Sequence, residues 1–167
     1  MTKGIVQKES ATLRKTSAPV LLSDIGTTKI SKIISNMSTA LASCPDGVAI
    51  AAPQIGVSLR IFLVSKKLFS DSDSDAVFIN PEIIKLSKKK MTLDEGCLSV
   101  RHIYGQTKRA DKATVQAYDE NGNRFNWNGT GLMAQIFQHE IDHLNGILFI
   151  DHATNLHEHE IVIENND

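Results

Sequence analysis

Within this chain of 167 residues, the segment best suited to chemistry is His139-Glu140-Ile141-Asp142-His143. On a helix, residues four apart lie on one face, so the two imidazoles can reach a single metal ion. Glu140 follows the first of them. There it can take a proton from an attacking water and hand it to a leaving group. The same pattern also fits a helix with exposed histidines and an ordinary salt bridge. The surrounding residues weigh against that. Leu132, Met133, Ile136, Phe137, Ile141 and Leu144 are apolar and imply a largely buried helix, while Gln138 and Asp142 make one side of it polar. Buried imidazoles without partners are costly. Asp142 is placed to orient a ligating ring from behind.

Two histidines need a third ligand. The candidates are the carboxylates, Cys44, Cys97 and the other histidines. Cys97 sits in Glu95-Gly96-Cys97-Leu98-Ser99, where the glycine permits close backbone approach beside the sulfur. A Cys-His-His set keeps a fourth position open, as a catalytic site requires. A free cysteine is otherwise most often a small buried hydrophobe, and Cys44, in a Ser-Cys-Pro-Asp turn, fits that description. Ligand chemistry alone points to zinc. His102, His152, His157 and His159 read as solvated side chains at the rim and tail.

The elements that must carry these residues are partly visible. Ile30, Ile33, Ile34, Met37 and Leu41 recur at helical spacing and predict a helix from about Thr27 to Ala42, capped by Asp24. Val48 to Gln54 is small and mostly apolar. Arg60 to Val64 and Val77 to Ile79 read as strands, the second stopped by Asn80-Pro81. Lys88-Lys89-Lys90 reads as an exposed turn or strand edge. Ala113 to Tyr118 and Arg124 to Trp127 flank Asn121-Gly122, a hairpin signal. A second helix is expected from about Gly131 to Leu144, ended by Asn145-Gly146, then a last strand from Ile147 to Ile150. The tail beyond about 152 reads as loose. The pattern predicts an α+β fold: antiparallel or mixed sheets around a central metal-binding helix, with an N-terminal helix. Residues 1–167 read as one catalytic domain.

With 18 Lys and Arg against 19 Asp and Glu, the net charge is −1. That argues against a nucleic-acid or membrane-surface binder, though not against docking through a small local patch. Two cysteines make no disulfide scaffold. The first residues lack the apolar run of a signal peptide, and no stretch is long and apolar enough to span a bilayer. A soluble cytoplasmic protein is expected, with an organelle form left open.

Three segments, in order, resemble the signature motifs of peptide deformylases. Gly47-Val48-Ala49-Ile50-Ala51-Ala52-Pro53-Gln54 is similar to the first, Glu95 to Ser99 to the second, and Gln138 to His143 to the third. Weaker likeness at Leu13-Arg14, Ala18-Pro19-Val20, Asn80-Pro81 and Arg109 to Tyr118 extends it over most of the chain. The resemblance implies hydrolysis of the formyl group from the N-terminal formyl-methionine of nascent polypeptides, near the ribosomal exit tunnel. It implies Cys97, His139 and His143 as metal ligands and Glu140 as general acid/base. The Gln54 amide and the Leu98 N–H would be donors to the formyl oxygen. Gly47, Val48, Ala49 and Gly96 would offer main-chain groups to an extended peptide, with Ile50, Gln135 and Ile136 as walls of the methionine pocket. The implied metal is iron(II), with nickel, cobalt or zinc as working substitutes.

The chain departs from that family pattern in two places. Ala49 replaces a glycine; its methyl is tolerable in the β region and intrudes if φ is positive or if the substrate backbone passes close. Arg101-His102 stands where proline and a small turn residue are usual. Two other readings compete: a zinc peptidase, which shares the His-Glu-x-x-His helix, and a non-catalytic metal-binding relative. Cys97 and Gln54 argue against the first, Glu140 with Gln54 against the second.

Overall fold

A computed structural model describes residues 4–159. Eight strands and two α-helices appear in the order α1 (Thr28–Ala42), β1 (Ala49–Ala51), β2 (Ile61–Val64), β3 (Ala76–Leu86), β4 (Lys90–Cys97), β5 (Val100–Ala110), β6 (Lys112–Tyr118), β7 (Arg124–Thr130), α2 (Leu132–Leu144) and β8 (Thr154–Glu158). One sheet has the order β1-β2-β3-β6-β7, the other β4-β5-β8. Every strand pair in them is antiparallel.

β2 shows how the first sheet is covered on both faces. Ile61 and Leu63 pack toward α1 with Ile30, Met37, Leu41 and Ile50. Phe62 and Val64 face the other way, with Phe78, Val115, Phe137 and Ile141. All four β2 residues are buried, because successive side chains point to opposite sides of a sheet with a helix on each. Phe62 and Phe78 stack at 4.4 Å between centroids under α2. A third cluster, Leu13, Val100, Leu148 and Phe149, ties the N-terminal segment to the second sheet. Burying a side chain of this size contributes about 1.5–3 kcal/mol, so the seat of α2 is set by such contacts.

Several expectations change. Thr27, not Asp24, caps α1: its side chain accepts the Ile30 N–H, while Asp24 offers only its carbonyl to Thr27. Asn80-Pro81 does not end β3. Asn80 takes a left-handed φ of 51° in a bulge, and its amide bonds both the N–H and the carbonyl of Val20 at 2.8 Å. The expected strand at Ile147–Ile150 is instead a short 3-10 turn over Phe149–Asp151, closed by Asp151 accepting the Leu148 N–H. Of the tail beyond 152, read as loose, Thr154–Glu158 forms β8 on the β5 edge, and residues 160–167 lie outside the described residues. Gly146 does end α2: its φ is 75°, and a Cβ there would meet the Arg14 carbonyl oxygen at 2.7 Å.

Candidate active site

α2 presents His139 and His143 one turn apart, with ring centroids 4.9 Å from each other. Cys97, the last residue of β4, brings its Sγ to 3.3 Å from His143 Nε2. One ligand atom from each of the three lies within 4.8 Å of the others. Gln138 fixes the helix against the second sheet. Its Nε2 donates to the Ala110 carbonyl at 2.9 Å and its Oε1 accepts the Ala110 N–H at 3.0 Å.

Behind His139 lies a network that the sequence reading missed. The Nδ1–H of His139 donates to the Glu95 carboxylate. Arg109 clamps that carboxylate from the far side through Nη2 at 2.5 Å and Nε at 3.2 Å, and Thr107 Oγ1 adds a bond at 2.6 Å. Arg109 Nη1 then reaches Asp142 at 2.6 Å. Asp142, expected to orient a ligand, thus holds Arg109, and Glu95 holds the ring. Glu95 was quotable as part of its motif, but nothing in a sequence says that a Glu-Arg pair is buried. Burial pushes the Glu95 carboxyl up; the bonds from His139 and Arg109 outweigh it and hold it well below the usual carboxylate range.

The donor set suits a metal ion. With Nδ1 of His139 committed to Glu95, its other ring nitrogen is left for an ion. Tetrahedral ligands at roughly 2.0–2.3 Å from a metal lie about 3.5 Å apart, which the Cys97–His143 separation matches. Burial works against protonation of both histidines. Contacts with Cys97 and Glu95 nevertheless draw His139 well above its usual value, while burial and His139 itself push His143 well below.

A cavity of about 350 Å³ opens beside this cluster. Gly47, Val48, Ala49, Gln54, Gly96, Leu98, Gln135, Ile136, Cys97, His139 and Glu140 all line it. Ile50 does not. It is fully buried in the α1 core, because it alternates with Ala49 and Ala51 across β1, so its assignment to the methionine pocket is corrected. His143 is buried behind the lining. Ala49 lies in β1 and has no positive φ, so its methyl costs the backbone nothing. Gln54 is held by its oxygen end, which accepts the Ala51 N–H at 2.8 Å. Its Nε2 therefore faces Ser99 Oγ at 3.1 Å and Cys97 Sγ at 3.7 Å. Glu140 is buried, and its Oε2 has no hydrogen-bond partner among the described residues. Burial pushes its carboxyl up to about 7.

Tyr104 and Leu132 also line the cavity, and neither was expected. Tyr104 lies against Gly96, where a Cβ would stand 2.6 Å from its ring; His157 and His159 of the tail flank the same ring. Close approach is thus what Gly96 provides.

The sequence profile of the Polypeptide deformylase family matches residues 2–159. Peptide deformylase 2 of Clostridium acetobutylicum is 40% identical over 147 residues, which are 87% of this chain and 91% of that protein. A peptide deformylase from Legionella pneumophila superposes with a TM-score of 0.81 at 38% identity, covering 90% of this chain and 85% of the other. The Met-Ala-Ser-bound class I type b enzyme of Acinetobacter baumannii gives 0.80 at 31% identity, covering 89% and 96%. With a metal-site cluster beside a lined cavity on the same fold, the chain belongs to the polypeptide deformylase family, metal-dependent hydrolases that remove the N-terminal formyl group of new polypeptides.

Proposed function

We propose that Cys97, His139 and His143 hold one divalent metal ion, natively iron(II), with zinc, nickel or cobalt as substitutes in purified protein. When bound, such an ion supplies Lewis acidity that polarises the formyl carbonyl and lowers the pKa of a nearby water. Glu140 takes the proton from the attacking water and delivers it to the amide nitrogen as the C–N bond breaks, leaving formate and a free amine. The Gln54 amide and the Leu98 N–H donate to the formyl oxygen as charge gathers on it. Gly47, Val48, Ala49 and Gly96 bind the peptide backbone in extended form, and Gln135 and Ile136 border the methionine side chain.

The observation that carries this reading is the unpartnered Glu140 Oε2. Glu140 lines the cavity beside Cys97 and His139. A buried carboxylate oxygen without a protein partner is costly unless something in the cavity completes it. The Met-Ala-Ser peptide named for the Acinetobacter structure supports a peptide as the occupant.

The substrates would be nascent chains bearing formyl-methionine, met in the cytoplasm near the ribosome, by one catalytic domain spanning 1–167. No helix among the described residues is long and apolar enough to cross a membrane. The deciding assay is formate release from formyl-Met-Ala-Ser by protein purified anaerobically, with metal content measured on the same sample. Cleavage of internal peptide bonds instead of formate release would overturn the reading in favour of a peptidase.

A further inference from the structure

Arg101 is the only Lys or Arg among the described residues lining the cavity. It stands just past the Cys97–Val100 turn, at the start of β5. Its guanidinium bridges to the segment before β1, with Nη1 3.7 Å from the Asp46 carboxylate and Nη2 3.3 Å from Cys44 Sγ. Both contacts are weak. The Asp46 distance is beyond hydrogen-bond range, and a thiol sulfur is a poor acceptor. A guanidinium offers five N–H donors in a planar fork suited to a carboxylate. The Arg101 side chain is 37% exposed, so those donors remain open at the mouth. Asp94, another exposed charge on the lining, lies on the α2 side, where Gln135 Nε2 bonds its carbonyl at 3.1 Å.

We infer that Arg101 is a specificity-determining residue: it binds an acidic side chain of the substrate among the residues that follow the formyl-methionine. The inference rests on the cavity being the peptide site. Two walls of that site meet at Arg101. Gly47 to Ala49 continue directly from Asp46, and Gly96 to Val100 lead directly into Arg101. A peptide lying between them carries its later side chains past the guanidinium. In the free protein Asp46 stands where a substrate carboxylate would compete, so Asp46 weakens the preference that Arg101 creates.

The test compares kcat/KM for formyl-Met-Ala-Ser, formyl-Met-Ala-Glu, formyl-Met-Glu-Ser and the two corresponding lysine peptides. Each ratio is taken within one protein sample, so differences in metal loading or folded fraction cancel. The unaltered protein should favour at least one acidic peptide over its lysine counterpart by roughly five-fold or more, mostly through KM and less so in high salt. Arg101→Ala should bring that ratio close to one, Arg101→Glu should invert it, and Asp46→Asn should enlarge it. Equal rates on acidic and basic peptides, or a preference that survives Arg101→Ala, would overturn the role of Arg101 while leaving the deformylase reading intact. No turnover of formyl-Met-Ala-Ser by metal-loaded protein would overturn that reading and this inference with it.

Discussion

The Glu95 carboxylate accepts the Nδ1–H of His139 while Arg109 grips the same carboxylate from behind. One ring of the proposed metal-binding set is thereby fixed in tautomer and direction by a charge that is itself buried and paired. Its neighbour His143 has no such support, since its Nδ1 has no partner among the described residues. Glu95→Gln should weaken metal affinity by about 10- to 100-fold. Competition with a chelator at fixed pH measures this. Unchanged retention would show that the metal, not Glu95, orients the ring.

Glu140 is not among the clustered ligands. Glu140→Gln should therefore keep its metal and lose about 10²- to 10⁴-fold in turnover, because no group remains to move the proton. Formate release and metal content must be read on one sample. Near-normal release at full occupancy would remove Glu140 from the reaction.

Gln54 is pinned through its oxygen, so the nitrogen end cannot swing away from Cys97 without breaking the bond to Ala51. A rigid donor leaves room for hydrogen on the formyl carbon and little for a methyl. Acetyl-Met-Ala-Ser should be turned over at least roughly 1000-fold more slowly than the formyl peptide, whereas formyl-Leu should lose less, about 10- to 200-fold. Comparable rates on acetyl and formyl substrates would mean the oxygen is held elsewhere.

Arg14 bonds Asp151 at 2.6 Å and holds its carboxyl below the usual value of 3.8, helped by the Leu148 N–H. The folded-state value is depressed, so the contribution to stability is present above the ordinary aspartate value. It is lost as pH falls through the lower folded value. Both side chains are over one-third exposed, so solvent and salt reduce the effect. In urea titrations, Asp151→Asn should be less stable than the unaltered protein at neutral pH, and the gap should close as the pH falls below the ordinary aspartate value of 3.8. A gap that persists in strong acid would trace to geometry instead of charge.

Most of the candidate site was legible because helical spacing and residue type coincide there. His139, Glu140 and His143 need only a period of 3.6 to be placed, and Phe137 and Ile141 tell which side is buried. The β4–β5 hairpin was not legible. Lys90 to Asp94 and Gln106 to Arg109 are mostly polar or charged, and Thr107 and Arg109 are nevertheless buried. They are inside because they satisfy Glu95, a reason that exists only once the chain has folded. Ile50 failed for the opposite cause. Proximity in sequence to Ala49 suggested a shared surface, while β alternation sends neighbours to opposite faces.

The contacts that define the site join distant parts of the chain: Gln54 to Ser99 spans 45 positions and Cys97 to His143 spans 46. Neither α2 nor the hairpin holds a complete set alone. Loop-closure entropy must be overcome before either contact forms, so the cluster is expected to assemble late in folding. During refolding, helical signal should recover before metal capture. A chelator added early should delay only the final compaction; a delay in the helical signal would show that metal capture nucleates folding.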